Sequence, residues 1–223
     1  MNESVQVLIP AFNAAATLPG LLERLKTMRE LAGVLVVDDG STDGTGTVAE
    51  SGGASVIRHD VNRGKGAALR TGFRALLDNG PTDCVVTMDA DLQHDVDDIP
   101  KLLAARDATK AGIVVGVRKR LGSGMPVLRI LSNTLTSILV STRAGIAIAD
   151  SQCGYRLIGS EVLRSVESES DGFEAETEIL IRAAAKGFAI VGVPVKTLYG
   201  GEHSHMTHWA TTKRFIRTLL KEY

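Results

Sequence analysis

Along its first half the chain alternates short apolar runs with longer segments whose apolar positions recur every third or fourth residue. Residues 5–9, 34–37, 55–57, 85–88 and 113–115 are apolar or rich in β-branched side chains, the character of strands. Residues 18–28, 45–50, 66–77 and 99–105 carry helical patterns between them. Leu18, Leu21, Leu22 and Leu25 have the spacing of a helix face turned to a core. Strands and helices in alternation predict an α/β fold, a mostly parallel Rossmann-like sheet flanked by helices. In such sheets ligands bind beyond the carboxyl ends of the strands. Residues 10–13, 38–43 and 89–93 are polar segments that each follow a strand, which places candidate chemistry at that edge.

Beyond residue 118 the pattern changes. Residues 127–148 are long, apolar and interrupted only by Arg129, Arg143 and Gly145. Residues 172–186 predict a helix closed by Gly187, followed by a short strand at 189–193 ending at Pro194. No repeat, low-complexity segment or linker divides the chain, so 1–223 reads as one domain with a distinct C-terminal elaboration. No window approaches the roughly 20 apolar residues that span a bilayer.

Composition narrows the classes. With 44% hydrophobic and 23% charged residues, this is the make-up of an ordinary globular protein. A net charge of −1 argues against bulk nucleic-acid binding. Cys84 lies in an apolar run, and it and Cys153 read as thiols in a reducing compartment. No charged segment leading into an apolar run opens the chain, so a cytoplasmic protein is expected. An oligomer is left open.

Three motifs carry chemistry. In Met88-Asp89-Ala90-Asp91-Leu92-Gln93, two carboxylates two residues apart point to one side of an extended segment. They repel unless a cation lies between them, and oxygen ligands suit magnesium or manganese, which also bind phosphates. A loop of helix-capping carboxylates is the plainer reading, and it suits Asp95, Asp97 and Asp98. The run Asp38-Asp39-Gly40-Ser41-Thr42-Asp43 delivers two acids into a turn where Ser41, Thr42 or Asp43 can cap the next helix. Capping leaves the crowding of Asp38 and Asp39 unexplained, and a carboxylate there suits a nucleobase or ribose. In Asn62-Arg63-Gly64-Lys65-Gly66, glycines and a lysine precede a helix, a setting that can cradle phosphate. It lacks a complete dinucleotide or P-loop fingerprint.

In the same order as here, these segments, with Ile9-Pro10-Ala11-Phe12-Asn13, occur in family 2 glycosyltransferases. The chain most resembles the dolichyl-phosphate mannose synthase-like branch, whose acidic motif also reads Asp-Ala-Asp-Leu-Gln-His. The likeness continues through Gly116-Val117-Arg118, residues 150–156 and 176–187, and Val193-Pro194-Val195. It implies a GT-A fold, with 1–118 binding a nucleoside diphosphate sugar and 119–223 forming the acceptor side. Pro10, Phe12, Asn13, Val37 and Asp39 would then hold the nucleoside, with Lys65, Asp89, Ala90 and Arg118 along the diphosphate. Asp89, Asp91 and Gln93 would hold Mg2+ or Mn2+, making Asp91 and Arg118 catalytic. Arg129 and Arg156 would face a polyprenyl phosphate at a membrane surface, with Ser204 and His205 in a loop closing over the site. Two departures stand out: Ala14 where relatives carry glutamate, and His205 where they carry a cation.

An acceptor phosphate is already ionised and needs no base, whereas a hydroxyl acceptor needs one, for which Asp150 or Glu178 is the candidate. Transfer to a soluble sugar, glycerate or headgroup hydroxyl is therefore the alternative enzyme, and a noncatalytic nucleotide-binding protein the alternative class. A nucleotidyltransferase would show a glycine-rich loop near residues 9–18, which is missing. His203, His205 and His208 lack the further ligands of a zinc site.

Overall fold

The computed structural model describes residues 4–119, 127–197 and 208–221, the side chains of Arg129 and residues 208–213 excepted. Its first half runs β1 (Val5–Ala11), α1 (Leu18–Lys26), β2 (Leu31–Asp38), α2 (Thr45–Ser51), β3 (Ser55–Arg58), α3 (Lys65–Asp78) and β4 (Cys84–Thr87). A 3-10 turn (Val96–Asp98) leads into α4 (Ile99–Thr109) and β5 (Ile113–Arg118). The second half holds α5 (Val127–Ala144), β6 (Arg156–Gly159), α6 (Ser160–Ser165), α7 (Glu174–Ala185), β7 (Ile190–Val195) and α8 (His208–Leu220).

The strands form one seven-stranded sheet in the order β3-β2-β1-β4-β6-β5-β7. β1 pairs in parallel with both β2 and β4, β2 with β3, and β5 with β7. Only β6 runs against its neighbours, β4 and β5. The carboxyl ends of the other six strands therefore share one edge, where β6 begins. β6 itself was not expected: four residues are few, and Arg156 is a poor candidate for a buried strand until its partners are known.

The sheet interior is fully buried through residues such as Leu8, Val36, Val86 and Val114, and Leu18, Leu21, Leu22 and Leu25 of α1 join the same core. At ~25 cal/mol per Å² of apolar surface, each such leucine stabilises the fold by about 1.5–3 kcal/mol. α3 packs on β1 and β2, α4 on β5, β6 and β7, and α7 against α3, α5 and α8.

Candidate active site

The loops after β1 and β2 are stapled to each other at the shared edge. The Asn13 amide donates to Ser41 Oγ (2.9 Å), Ala14 N to Thr45 Oγ1 (2.8 Å) and Ala15 N to Asp43 Oδ2 (3.0 Å). Asn13 Oδ1 in turn accepts from Thr42 N at 3.0 Å. The hydroxyl of Ser41 thus serves the neighbouring loop instead of capping α2, whose N-cap is Gly44. This staple holds Phe12, 49% exposed, at the end of β1 beside half-buried Pro10. Val37 is fully buried, set in the sheet between Pro10 of β1 and Ile57 of β3, so its side chain is not presented to a nucleoside at this edge.

Asp39 is 3% exposed and accepts three hydrogen bonds: His59 Nδ1 at 2.6 Å, Arg63 N at 3.0 Å and Gly64 N at 2.8 Å. It anchors the 59–64 loop. Gly64 has φ +99°, and a β-carbon there would lie 2.3 Å from the Asp171 carbonyl oxygen. That carbonyl accepts from Gly66 N (2.7 Å) and Ala67 N (3.2 Å). Two amides of the first turn of α3, which the sequence suggests for phosphate, are thus taken by the Asp171 carbonyl, and Gly64 permits the close approach.

Lys65, the first residue of α3, reaches across to the acidic motif. Its Nζ lies 2.6 Å from Asp89 Oδ1 and 2.9 Å from Glu176 Oε2, and 5.7 Å from the centre of the Phe173 ring. Burial opposes the lysine charge, but the two carboxylates reverse that effect and hold the ammonium above the ordinary lysine range. Burial likewise opposes charge on Asp89, yet Lys65, then His94, pull its carboxyl down to about 2. Asp91 goes the other way: burial and the negative charge of Asp89 raise it. Glu176 opens the 176–187 stretch of family likeness, but the sequence assigns it no role; the packing of α7 against α3 brings it here.

The loop from 89 to 98 is held on both sides. Leu92 adopts φ +61°, an uncommon conformation for a leucine that costs roughly 1–2 kcal/mol, between Asp91 and Gln93. Gln93 N donates to Asp91 Oδ1 (3.0 Å), and Asp89 N donates to His94 Nδ1 (3.2 Å). His94 stacks on Tyr155 (centroids 4.9 Å, planes 13° apart), whose hydroxyl donates to the Asp95 carbonyl at 3.0 Å. Asp95 receives Arg24 Nη2 (2.5 Å) and Asp97 N (3.3 Å), so its capping role is as expected. Ala90, within this loop, is buried.

Arg118, at the end of β5, meets Asp150 through Nε (2.8 Å) and Nη2 (2.9 Å), a two-pronged pair whose acid is 1% exposed. The backbone amides of Arg118 and Gln152 also approach Asp150, each at 3.3 Å. Asp150 therefore orients a guanidinium at the sheet edge. Arg156 is 1% exposed and gives its donors to the carbonyls of Cys153 (2.8 Å), Glu176 (2.5 Å) and Ser151 (2.9 Å). It knits the 150–155 loop to α7 and is not presented to an acceptor. Glu178 is buried and accepts from Glu169 N, Ser170 N and Arg182 Nε, which removes it from consideration as a base. Arg129 lies in the first turn of α5, its side chain outside the described residues, as are Ser204 and His205.

Among the described residues no group of three or more His, Cys, Asp or Glu is gathered to hold a metal. Asp89 and Asp91 offer hard oxygen donors, and both burial, the larger cause, and the neighbouring charge of Asp89 oppose the charge on Asp91, a charge that a bound cation would stabilise. This donor set fits a magnesium-like ion that draws its remaining ligands from phosphates and water.

The family model for glycosyl transferase family 2 matches residues 6–162. An undecaprenyl-phosphate mannosyltransferase from Micrococcus luteus is 34% identical over 202 residues, covering 86% of this chain and 82% of that protein. A polyprenol monophosphomannose synthase from Mycolicibacterium smegmatis is 32% identical over 205 residues, covering 85% and 75%. Among solved structures, glucosyl-3-phosphoglycerate synthase from Mycobacterium tuberculosis, in complex with Mn2+, UDP and its product, superposes with a TM-score of 0.73. It is 22% identical, covering 98% of this chain and 79% of that one, so the likeness is one of fold, the GT-A fold. With a matched segment that takes in β1 through β6 and every carboxylate of the acidic motif, the chain belongs to glycosyl transferase family 2.

Proposed function

We propose that this glycosyltransferase moves a sugar from a nucleoside diphosphate sugar to a polyprenyl-type phosphate at a membrane surface. The observation that carries the acceptor reading is the bare apolar face of α5. Leu128 is 81% and Leu131 62% exposed, and Leu135, Ile138 and Leu139 continue the stripe at helical spacing, while Val140 is fully buried. Ile216 and Leu220 of α8, which packs beside α5, are also exposed. Contiguous exposed apolar surface marks a lipid or protein contact. No helix among the described residues is long and apolar enough to cross a membrane, so the stripe suits a helix lying in the interface. The names of the two bacterial relatives, an undecaprenyl-phosphate mannosyltransferase and a polyprenol monophosphomannose synthase, support the same acceptor.

On this reading Phe12 offers its exposed ring to the base, in a loop held by Ser41, Thr45 and Asp43. Asp39 supports the adjoining loop, and Arg118, oriented by Asp150, meets the diphosphate. Asp89, Asp91 and Gln93 would hold a magnesium or manganese ion, which when bound would supply positive charge for the departing diphosphate. An oxygen of the acceptor phosphate bonds to the anomeric carbon as the bond to the diphosphate breaks. The acceptor is ionised at neutral pH, so no residue need remove a proton, consistent with the burial of Asp150 and Glu178.

The test is a panel of nucleoside diphosphate sugars, with released nucleoside diphosphate as readout, run with and without short-chain polyprenyl phosphate. Release that polyprenyl phosphate stimulates, and glycosylated lipid phosphate as product, are expected. Transfer to phosphoglycerate or another soluble hydroxyl, with none to polyprenyl phosphate, would overturn the acceptor assignment.

A further inference from the structure

Asp89 already has a cation. Lys65 Nζ sits 2.6 Å from one of its oxygens, and Glu176 grips the same ammonium at 2.9 Å. Both Lys65 and Glu176 are largely buried, their side chains 13% and 12% exposed. The backbone closes over them at Gly154, where a β-carbon would stand 2.9 Å from Asp89 Oδ2, 3.0 Å from Lys65 Nζ and 3.1 Å from Glu176 Oε1. Any larger residue at 154 would push into the cluster, so the ammonium is enclosed by its surroundings. It cannot swing freely into solvent.

We propose that Lys65, positioned by Glu176, is an internal counter-ion for Asp89 that makes the divalent cation and the donor diphosphate bind together instead of in turn. This rests on the metal reading above and deepens it. A bare dication reaching Asp89 comes close to a fixed ammonium, and like charges a few ångströms apart in a partly buried site repel strongly. A diphosphate changes the balance: its negative charge is attractive to both cations, so the ammonium that hinders the metal alone helps the metal–diphosphate pair. Glu176 makes the device reversible. By sharing the ammonium, it prevents Lys65 from neutralising Asp89 completely and leaves the acid able to accept a metal. Glu176 is a positioning residue on this account, acting through Lys65.

The experiment follows manganese binding directly, without turnover, through the electron paramagnetic resonance signal of the free ion. Wild type, Lys65→Met, Lys65→Arg and Glu176→Gln are titrated with Mn2+ alone and with Mn2+ in the presence of UDP or GDP. Wild type is expected to bind Mn2+ alone weakly and to gain affinity with a nucleoside diphosphate. Lys65→Met should bind bare Mn2+ on the order of tenfold more tightly and lose most of the gain from nucleotide. Lys65→Arg keeps the positive charge and should retain the weak binding of bare Mn2+. Glu176→Gln concentrates the ammonium on Asp89 and should weaken bare Mn2+ binding, which keeps the test alive if Lys65→Met fails to fold. Equal Mn2+ affinity in wild type, Lys65→Met and Glu176→Gln overturns the inference while leaving the metal reading intact. Absence of Mn2+ binding in all four proteins, with sugar transfer persisting in excess chelator, overturns both and leaves only the transferase activity.

Discussion

Asp91 and Asp39 are both acids at the end of a strand, yet their surroundings differ. Asp91 has one described hydrogen bond, from Gln93 N, and its charge is opposed by burial and by Asp89. Asp91→Asn keeps that hydrogen bond but removes the charge a cation needs. Transfer should fall below detection while the unfolding midpoint stays near wild type, and full activity in chelator would remove the metal from the mechanism. Asp39 instead holds a loop through three donors. Asp39→Ala leaves His59 Nδ1 and two amides without their acceptor, so it should cost about 2–3 kcal/mol of stability as well as weaken nucleoside diphosphate binding. Calorimetry and denaturant titration on the same variant separate the two, and unchanged stability would mean that the loop anchors elsewhere. The sequence marks Asp39 as important because two acids crowd a strand end. It cannot say that Asp39 serves the 59–64 loop, because that partner is some 20 residues away along the chain.

At the scale of elements, the alternation of apolar and polar positions reads well. Helix α1 begins at Leu18 and β5 at Ile113, as their patterns predict. What stays hidden is which face of an apolar helix is covered. Residues 127–148 suit a core helix or a lipid-facing one equally, and the structure shows α5 with Val140 buried and Leu131 and Leu135 bare. Leu131→Glu with Leu135→Glu should leave the unfolding midpoint within about 0.5 kcal/mol of wild type, as expected of surface positions. Sedimentation with anionic liposomes should be lost in the same protein. Retained sedimentation would move the membrane contact to another surface. Gly64 presents the opposite case, a residue that resembles a phosphate loop but permits a backbone crossing. Gly64→Ala should destabilise by about 2 kcal/mol or more through clash and positive φ, read as a lower thermal midpoint.

For the molecule as a whole, buried acids couple stability to pH. Burial works to raise Glu178, but hydrogen bonds from Ser170 and Glu169 and the charge of Arg182 outweigh it, so its pKa is lowered. A folded value below the unfolded one means that the carboxylate stabilises the fold above its unfolded pKa of about 4.3, and that this is lost as pH falls through that range. Asp89, held at about 2, adds to the same slope. Urea midpoints should fall between about pH 6 and about pH 3, and Glu178→Gln should flatten that fall. The same slope in the variant would assign the loss to other acids. Sequence by itself determined the strand–helix alternation, the edge at which the acidic motifs gather and the family, because these depend on periodicity and local order along the chain. Tertiary structure alone decided that β6 runs antiparallel, that Arg156 is a buried staple, and that Glu176 shares Lys65 with Asp89. Each of those joins residues far apart in the chain, and their energies exist only once packing has excluded water and brought the charges together.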